Sequence, residues 1–257
     1  MELELHGQVG IVTGASKGIG KAIAQTLAAR GMKLALVARS GAQLEELATS
    51  LPTESLVLTE DLRVLDAPAR IVAATLERFG HLDALVNNAG ATKRGDFLEL
   101  TDADWADGFA LKFFGAMRLC RASWTALQAS NGAIVNIAGV GARTASAEFT
   151  IGGSVNSALL NFTKALADRG VRDGVRVNAI NPGSIATERL QVRVRSVAQD
   201  RGLNDEAAAL EMARSLGIAR FGQPDEIAQV VAFLVSKRSS YMQGAIMDVD
   251  GGQTRAL

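Results

Sequence analysis

Thr13-Gly14-Ala15-Ser16-Lys17-Gly18-Ile19-Gly20 sits between an apolar run, Val9–Thr13, and a helical pattern that opens at Gly18. Strand, glycines and helix in that order, near the start of a βαβ unit, predict a loop that holds a pyrophosphate. Gly14 permits a tight turn, Gly18 lets the backbone approach a phosphate, and Gly20 lets helix and strand pack closely. Ser16, Lys17 and Ile19 complete the loop. The helix start adds open N–H groups and the positive end of its dipole. The chemistry expected here is dinucleotide binding.

A second feature bears on which dinucleotide. The next apolar run ends Leu36-Val37-Ala38-Arg39-Ser40. An NAD(H) site would want a carboxylate there to accept the ribose 2′-OH, and none is present. Arg39 offers a planar cation suited to a 2′-phosphate, Ser40 a hydroxyl, and Lys17 a second charge. NADP(H) is therefore expected over NAD(H). The competing reading of Arg39 is a solvated surface charge.

Other chemistries find little material. The chain holds two histidines, His6 and His81, and one cysteine, Cys120. They cannot build a typical zinc site, so no metal is expected, and neither histidine lies in a nucleophile motif. Both read as structural residues at turns, and Cys120 as a small buried hydrophobe on a helix. A single cysteine allows no intrachain disulfide, which fits a reducing compartment. The opening MELELHGQVGIVTG lacks the basic and apolar regions of a leader. A cytoplasmic location is expected. No apolar run approaches the roughly 20 residues that span a bilayer. Lys+Arg and Asp+Glu number 27 each, so the net charge is zero. That leaves no electrostatic footprint for nucleic acid or an anionic membrane.

These residues need a scaffold to position them. With 257 residues, 48% hydrophobic and 21% charged, the chain suits one large domain. Strand-length apolar runs fall at Val9–Thr13, Lys33–Ala38, Ser55–Thr59, Ala84–Asn87, Ala133–Ala138, Arg176–Ile180 and Ala245–Val249. Helical patterns span 18–30, 41–50, 66–78, 102–130, 151–169 and 224–236. The alternation predicts a single α/β domain over 1–257: a Rossmann-like, doubly wound parallel sheet of about seven strands with helices on both faces. The stretch 188–222 is charged and breaks the rhythm. It reads either as a lid over a substrate or as a pair of surface helices.

The spacing GxxxGxG resembles that of the short-chain dehydrogenase/reductase family. The resemblance runs along nearly the whole chain, with similarity to its 3-oxoacyl-ACP-reductase-like members. Asn87-Asn88-Ala89-Gly90 looks like the family's NNAG, and Asp61, followed by Leu62, matches its adenine-contacting aspartate. Asn181-Pro182-Gly183-Ser184-Ile185-Ala186-Thr187 is similar to its nicotinamide-side loop. Asp250-Gly251-Gly252 resembles its late DGG. The resemblance thus implies cofactor contacts from Asn88, Ala89, Gly90, Asp61, Leu62, Pro182, Gly183, Ile185 and Thr187, besides the glycine loop. It also implies a small-molecule substrate and a homo-oligomer, dimer or tetramer, formed through the long central helices. The apolar Phe113, Phe114, Met117, Val155 and Leu159 suit either that interface or a core.

The same resemblance implies a Tyr-x-x-x-Lys pair, a serine and a helical asparagine. Counting from Leu159-Leu160-Asn161-Phe162-Thr163-Lys164, the tyrosine position falls on Gly152 and the lysine position on Asn156. The serine position falls on Gly139 and the asparagine position on Lys112. The single tyrosine, Tyr241, lies in a late segment that no shift of register brings onto this helix. Asn156 can still bond ribose hydroxyls. Lys112 either reaches the pocket as a proton donor or anion holder, or extends to solvent. Arg143, Thr144, Ser146, Glu148, Thr150, Ser154 and Ser157 are further candidates to line the pocket. Three readings stand: an NADP(H) oxidoreductase with an atypical acid, a non-catalytic NADP(H)-binding protein acting as sensor or partner subunit, and an enzyme of another class on this scaffold.

Overall fold

The computed structural model describes residues 5–255. In chain order the elements are β1 (Val9–Thr13), α1 (Gly18–Ala28), β2 (Lys33–Ala38), α2 (Gly41–Ser50), β3 (Ser55–Thr59), α3 (Ala67–Phe79) and β4 (Ala84–Asn87). There follow α4 (Asp102–Phe109), a π-helical turn (Ala110–Gly115), α5 (Ala116–Ser130), β5 (Ala133–Ile137), α6 (Thr150–Asp173) and β6 (Arg176–Pro182). The last are α7 (Glu188–Arg201), α8 (Asp205–Ser215), α9 (Pro224–Val235) and β7 (Ile246–Val249).

The seven strands form one parallel sheet in the order β3-β2-β1-β4-β5-β6-β7. Strand order reverses between β1 and β4, and at such a switch point the carboxyl ends open a crevice for a ligand. The strands read as continuous apolar runs because both faces are covered. Alternation still sorts the side chains. Val12, Leu34, Leu36, Val86 and Val135 pack on one face with Ile23 and Leu27 of α1, Leu44 of α2 and Val231 of α9. Ile11, Ala35, Val37, Leu85 and Ile134 pack on the other with Ile71 of α3, Leu119 and Cys120 of α5 and Ala167 of α6.

A buried polar chain ties the second layer together. Asn87 Nδ2 donates to Asn136 Oδ1 at 2.9 Å, Asn136 Nδ2 to Thr163 Oγ1 at 2.9 Å, and Thr163 Oγ1 to Leu159 O at 2.8 Å. This chain fixes α6 against the ends of β4 and β5.

The elements differ from the sequence expectation in several places. The helix expected over 102–130 is interrupted by the π turn. The helix expected to end at 169 continues to Asp173, because Gly170 is accommodated inside it and the left-handed stop is Gly174 (φ +73°). Strand β5 ends one residue early, at Ile137, and β6 runs two residues further, to Pro182. The stretch after 188, for which a pair of helices is one of the two readings, forms two helices held by a small cluster of Leu190, Val194, Ala198 and Ala208.

Val155 and Leu159 face the core, at 0% and 1% exposure, which resolves their open assignment. Phe113 packs edge-on against Phe162, while Phe114 remains exposed. Cys120 is buried and burial pushes its thiol up to about 12, so it does not ionise at neutral pH. His81 bonds Gly7 O and Phe79 O, a turn-bracing role. Among the described residues no helix is long and apolar enough to cross a membrane, and no group of three or more His, Cys, Asp or Glu is arranged to hold a metal.

Candidate active site

The glycine loop follows β1 and opens α1 at the switch point. A β-carbon on Gly20 would stand 2.2 Å from Gly14 O and 2.5 Å from Asn88 Nδ2, so the close approach admits only glycine. No side chain caps α1, so its first N–H groups stay open toward the loop. The NNAG segment docks directly on this loop. Asn88 N and Ala89 N both donate to Thr13 Oγ1, at 2.9 and 3.0 Å, and Asn88 Nδ2 donates to Thr13 O at 3.0 Å. From the other side, Thr187 Cγ2 comes within 3.2 Å of a β-carbon position on Gly18. Gly183 is pressed against Asp250, and Ile185 is buried and bridges to Gly222.

At the far end of the cradle, Arg39 and Ser40 lie between β2 and α2. Arg39 Nη1 stands 4.0 Å from Asp61 Oδ2 and the side chain is 67% exposed, so its charge is available. Asp61 itself accepts from Arg63 N, which fixes the turn at Leu62. Lys17 pairs loosely with Glu188 at 3.9 Å. A cradle that only glycines fit, an uncapped helix start and an exposed arginine at the second strand end together suit a phosphorylated dinucleotide.

The four positions singled out at the other end of the crevice, Lys112, Gly139, Gly152 and Asn156, come together. The π turn carries Lys112 across the ends of β4 and β5. Its Nζ donates to Ala138 O at 2.6 Å. Its stem covers Gly90, where a β-carbon would meet Lys112 Cδ at 2.8 Å. The alternative of a solvent-directed Lys112 is therefore corrected. Burial, with the Arg189 guanidinium adding to it, lowers the ammonium to about 8.

Gly139 adopts φ +153°, a conformation that a residue with a β-carbon enters only at a cost. Asn156 is 3% exposed, its Oδ1 has no partner, and its Nδ2 would lie 3.1 Å from a β-carbon on Gly139. Gly152 is covered by Phe149, with ring atoms Cε2 and Cζ 2.1 Å from where a β-carbon would be. The Arg94 guanidinium stacks on the outer face of that ring, 4.1 Å from its centroid.

Of the further lining candidates, Arg143 pairs with Asp248, Thr144 Oγ1 bonds Val140 O, and Ser157 Oγ bonds Ala142 O. These side chains brace the loop. Ser146, Glu148 and Ser154 are exposed, while Thr150 Oγ1 is buried without a partner. Sequence reasoning did not single out Phe149, Arg94, Arg189 or Arg193, because only the folded chain brings them to Gly152 and Lys112.

The site can hold a dinucleotide along the glycine loop and present two hydrogen-bond donors, Lys112 Nζ and Asn156 Nδ2, on either side of Gly139. A family model described as Enoyl-(Acyl carrier protein) reductase matches residues 14–254. The chain is 31% identical to the 3-oxoacyl-(acyl-carrier-protein) reductase of Vibrio cholerae, covering 97% of this chain and 98% of the relative. It is 32% identical to the acetoacetyl-CoA reductase of Shinella zoogloeoides, covering 96% and 98%. Among solved structures, L-sorbose reductase from Gluconobacter frateurii, complexed with NADPH and L-sorbose, superposes with a TM-score of 0.96 at 32% identity over the full length of both chains. Glycine loop, switch-point crevice and full-length likeness concur: the chain belongs to the short-chain dehydrogenase/reductase family of oxidoreductases.

Proposed function

We propose that the protein is an NADP(H)-dependent oxidoreductase that interconverts a carbonyl and an alcohol, with Lys112 supplying the proton. The observation that carries this reading is the position of Lys112 Nζ, half-buried and 2.6 Å from Ala138 O beside Gly139. NADP(H), when bound, supplies or accepts the hydride at the substrate carbon. The protein's own part is to orient the substrate oxygen and to move one proton. One N–H of the Lys112 ammonium holds Ala138 O, and two remain for the pocket. As the carbonyl oxygen gains negative charge, an ammonium proton passes to it, and the neutral amine regains a proton from solvent. An ammonium of pKa about 8 suits this task at neutral pH, since an acid is most useful near the working pH. Asn156 Nδ2 adds a neutral donor to the same oxygen.

The exposed Arg39, with Ser40 and Lys17, supports NADP(H) over NAD(H). The NADPH complex of the sorbose reductase points the same way. Helices α7 and α8, over the stretch 188–222, act as the substrate cover of a single domain. The exposed Phe114 marks the α5 side as the contact between subunits.

A thermal shift with NADPH and with NADH tests binding, because a ligand that prefers the folded state raises the midpoint. NADPH absorbance against a panel of carbonyl compounds tests turnover, with Lys112→Ala as the discriminating variant. One observation favours the second reading, a non-catalytic NADP(H)-binding protein: Phe149 fills the space over Gly152 where a tyrosine would extend. A shift with NADPH and no turnover on any carbonyl selects that reading.

A further inference from the structure

Arg94 stands on the Phe149 ring that covers Gly152, Lys112 and Arg189 meet at Gly90, and the charge of the exposed Arg193 acts on Arg94. Lys112 comes from the π turn, Arg94 from the loop after β4, and Arg189 and Arg193 from α7. Arg189 Nη2 reaches Gly90 O at 3.4 Å, directly beside the Lys112 stem. Arg94 lies on the Phe149 ring, and its loop is fastened to the segment preceding α6 by Gly95 N donating to Glu148 O at 3.2 Å. Among the described residues none of the four forms an ion pair with a carboxylate, although fourteen ion pairs form elsewhere in the chain.

The arrangement costs stability. Arg189 and Arg193 are four residues apart on one helix, a spacing at which like charges repel. Burial first, and then Arg193, disfavour the charged form of Arg94, against a weaker contribution from Glu148. Arg189 acts on Lys112 in the same sense. A second, independent feature lies in the same place. The Asn156 amide is 3% exposed, directed at Gly139, and its Oδ1 has no partner among the described residues. A buried acceptor without a partner costs free energy that a ligand hydroxyl, on the cofactor ribose or on the alcohol form of the substrate, can return.

We infer that this end of the crevice binds the anionic group of a carbonyl substrate, a carboxylate or a phosphate, with Arg94 and Arg193 holding the anion and Lys112 and Asn156 meeting the carbonyl oxygen. The fork of an arginine matches either anion in two parallel hydrogen bonds. This cluster is separate from the phosphate cradle: Arg94 sits on Phe149 over Gly152, whereas the cradle is built by Gly14, Gly18, Gly20 and Thr187. The inference rests on the proposed carbonyl chemistry for the role of Lys112, but binding can be read without turnover.

The experiment is calorimetric titration of the full chain saturated with NADP+. The probes are 2-oxobutanoate, 4-oxopentanoate and 5-oxohexanoate, each against its methyl ester, and dihydroxyacetone phosphate against dihydroxyacetone. At least one anion should bind tenfold or more tightly than its neutral partner, and the responding arm separates carboxylate from phosphate. In R94Q/R193Q that preference should disappear while the Kd for NADPH is retained. Equal binding of acid and neutral partner in every pair overturns the inference. So does an anion preference that survives in R94Q/R193Q, or a double variant that weakens NADPH and leaves the preference intact. Anion binding without turnover of any carbonyl would sink the oxidoreductase reading alone.

Discussion

The phenyl ring of Phe149 lies on the backbone of Gly152, with Cε2 and Cζ 2.1 Å from the point a β-carbon would take. Two residues three apart in the chain thus share one volume. Gly152→Ala should destabilise the protein by about 1–3 kcal/mol, the usual cost of overpacking. Phe149→Ala in the same chain should recover part of that loss, because residues sharing a space are not additive. Urea denaturation of the two single variants and the double variant measures the coupling, and strictly additive costs would contradict the contact.

Lys112 should carry a pH signature in stability. Its folded-state pKa, about 8, lies below that of an unfolded lysine. Between about 8 and 10.4 the unfolded chain binds more protons, so stability rises with pH across that window. Below about pH 8 the full penalty is present. Lys112→Met should therefore raise stability at pH 7 by about 1–2 kcal/mol, after allowing for the hydrogen bond lost at Ala138 O. The advantage should shrink toward pH 10.5. Chemical denaturation at pH 7 and 10 checks both points, and an equal effect at the two pH values would count against a depressed ammonium.

The same group sets the expected rate profile. If Lys112 delivers the proton, kcat/KM for carbonyl reduction should be level below about pH 8 and fall as pH rises through it. Lys112→Ala should lose about 10²–10⁴ of the rate and the alkaline limb with it. A limb that persists in the variant assigns the proton to another group.

Cofactor choice should turn on Arg39, whose charge is 67% exposed and only 4.0 Å from Asp61. Arg39→Asp should weaken NADPH binding by roughly 10- to 100-fold, the worth of a charged hydrogen bond, and spare NADH. Fluorescence titration with both dinucleotides reads the ratio. An unchanged ratio would make Arg39 a plain surface charge.

The polar chain behind the site should be structural. Asn136 is fully buried between Asn87 and Thr163. Asn136→Ala strands a donor on Asn87 and should cost about 2–3 kcal/mol, measured as a lower Tm. A near-neutral result would mean that α6 is held by its apolar face alone.

The strands were legible because both faces of the sheet are covered, which writes each of them as an apolar run with glycine or charge at its ends. The glycine loop was legible because its function lies in backbone geometry that few residues permit. Helix α7 was legible only as one of two readings, although Leu190, Val194 and Ala198 recur every four residues. Mostly charged and polar residues lie between them, and the exposed Val192 adds an apolar position off the stripe, so the pattern is blurred. The end of α6 was misread because Gly170 looks like a stop, whereas its missing side chain makes room for Val175 O. The positive cluster was invisible in a chain of zero net charge, since Arg94, Arg189 and Arg193 meet only after folding. The orientation of Lys112 depended on the π turn, which no local pattern announced.

That turn has a consequence for the whole Lys112 end of the crevice. A wide turn carries one residue more than the α-helix around it needs, and each residue of an α-helix advances the side chains by about 100°. Deleting a single residue between Ala110 and Gly115 would let α4 and α5 run on as one regular rod. The helices on either side of the cut would keep their phase, and only the residues of the turn itself, Lys112 among them, would be redirected. The direction in which Lys112 points is thus a matter of helical phase, written in the length of the chain as much as in the identity of residue 112.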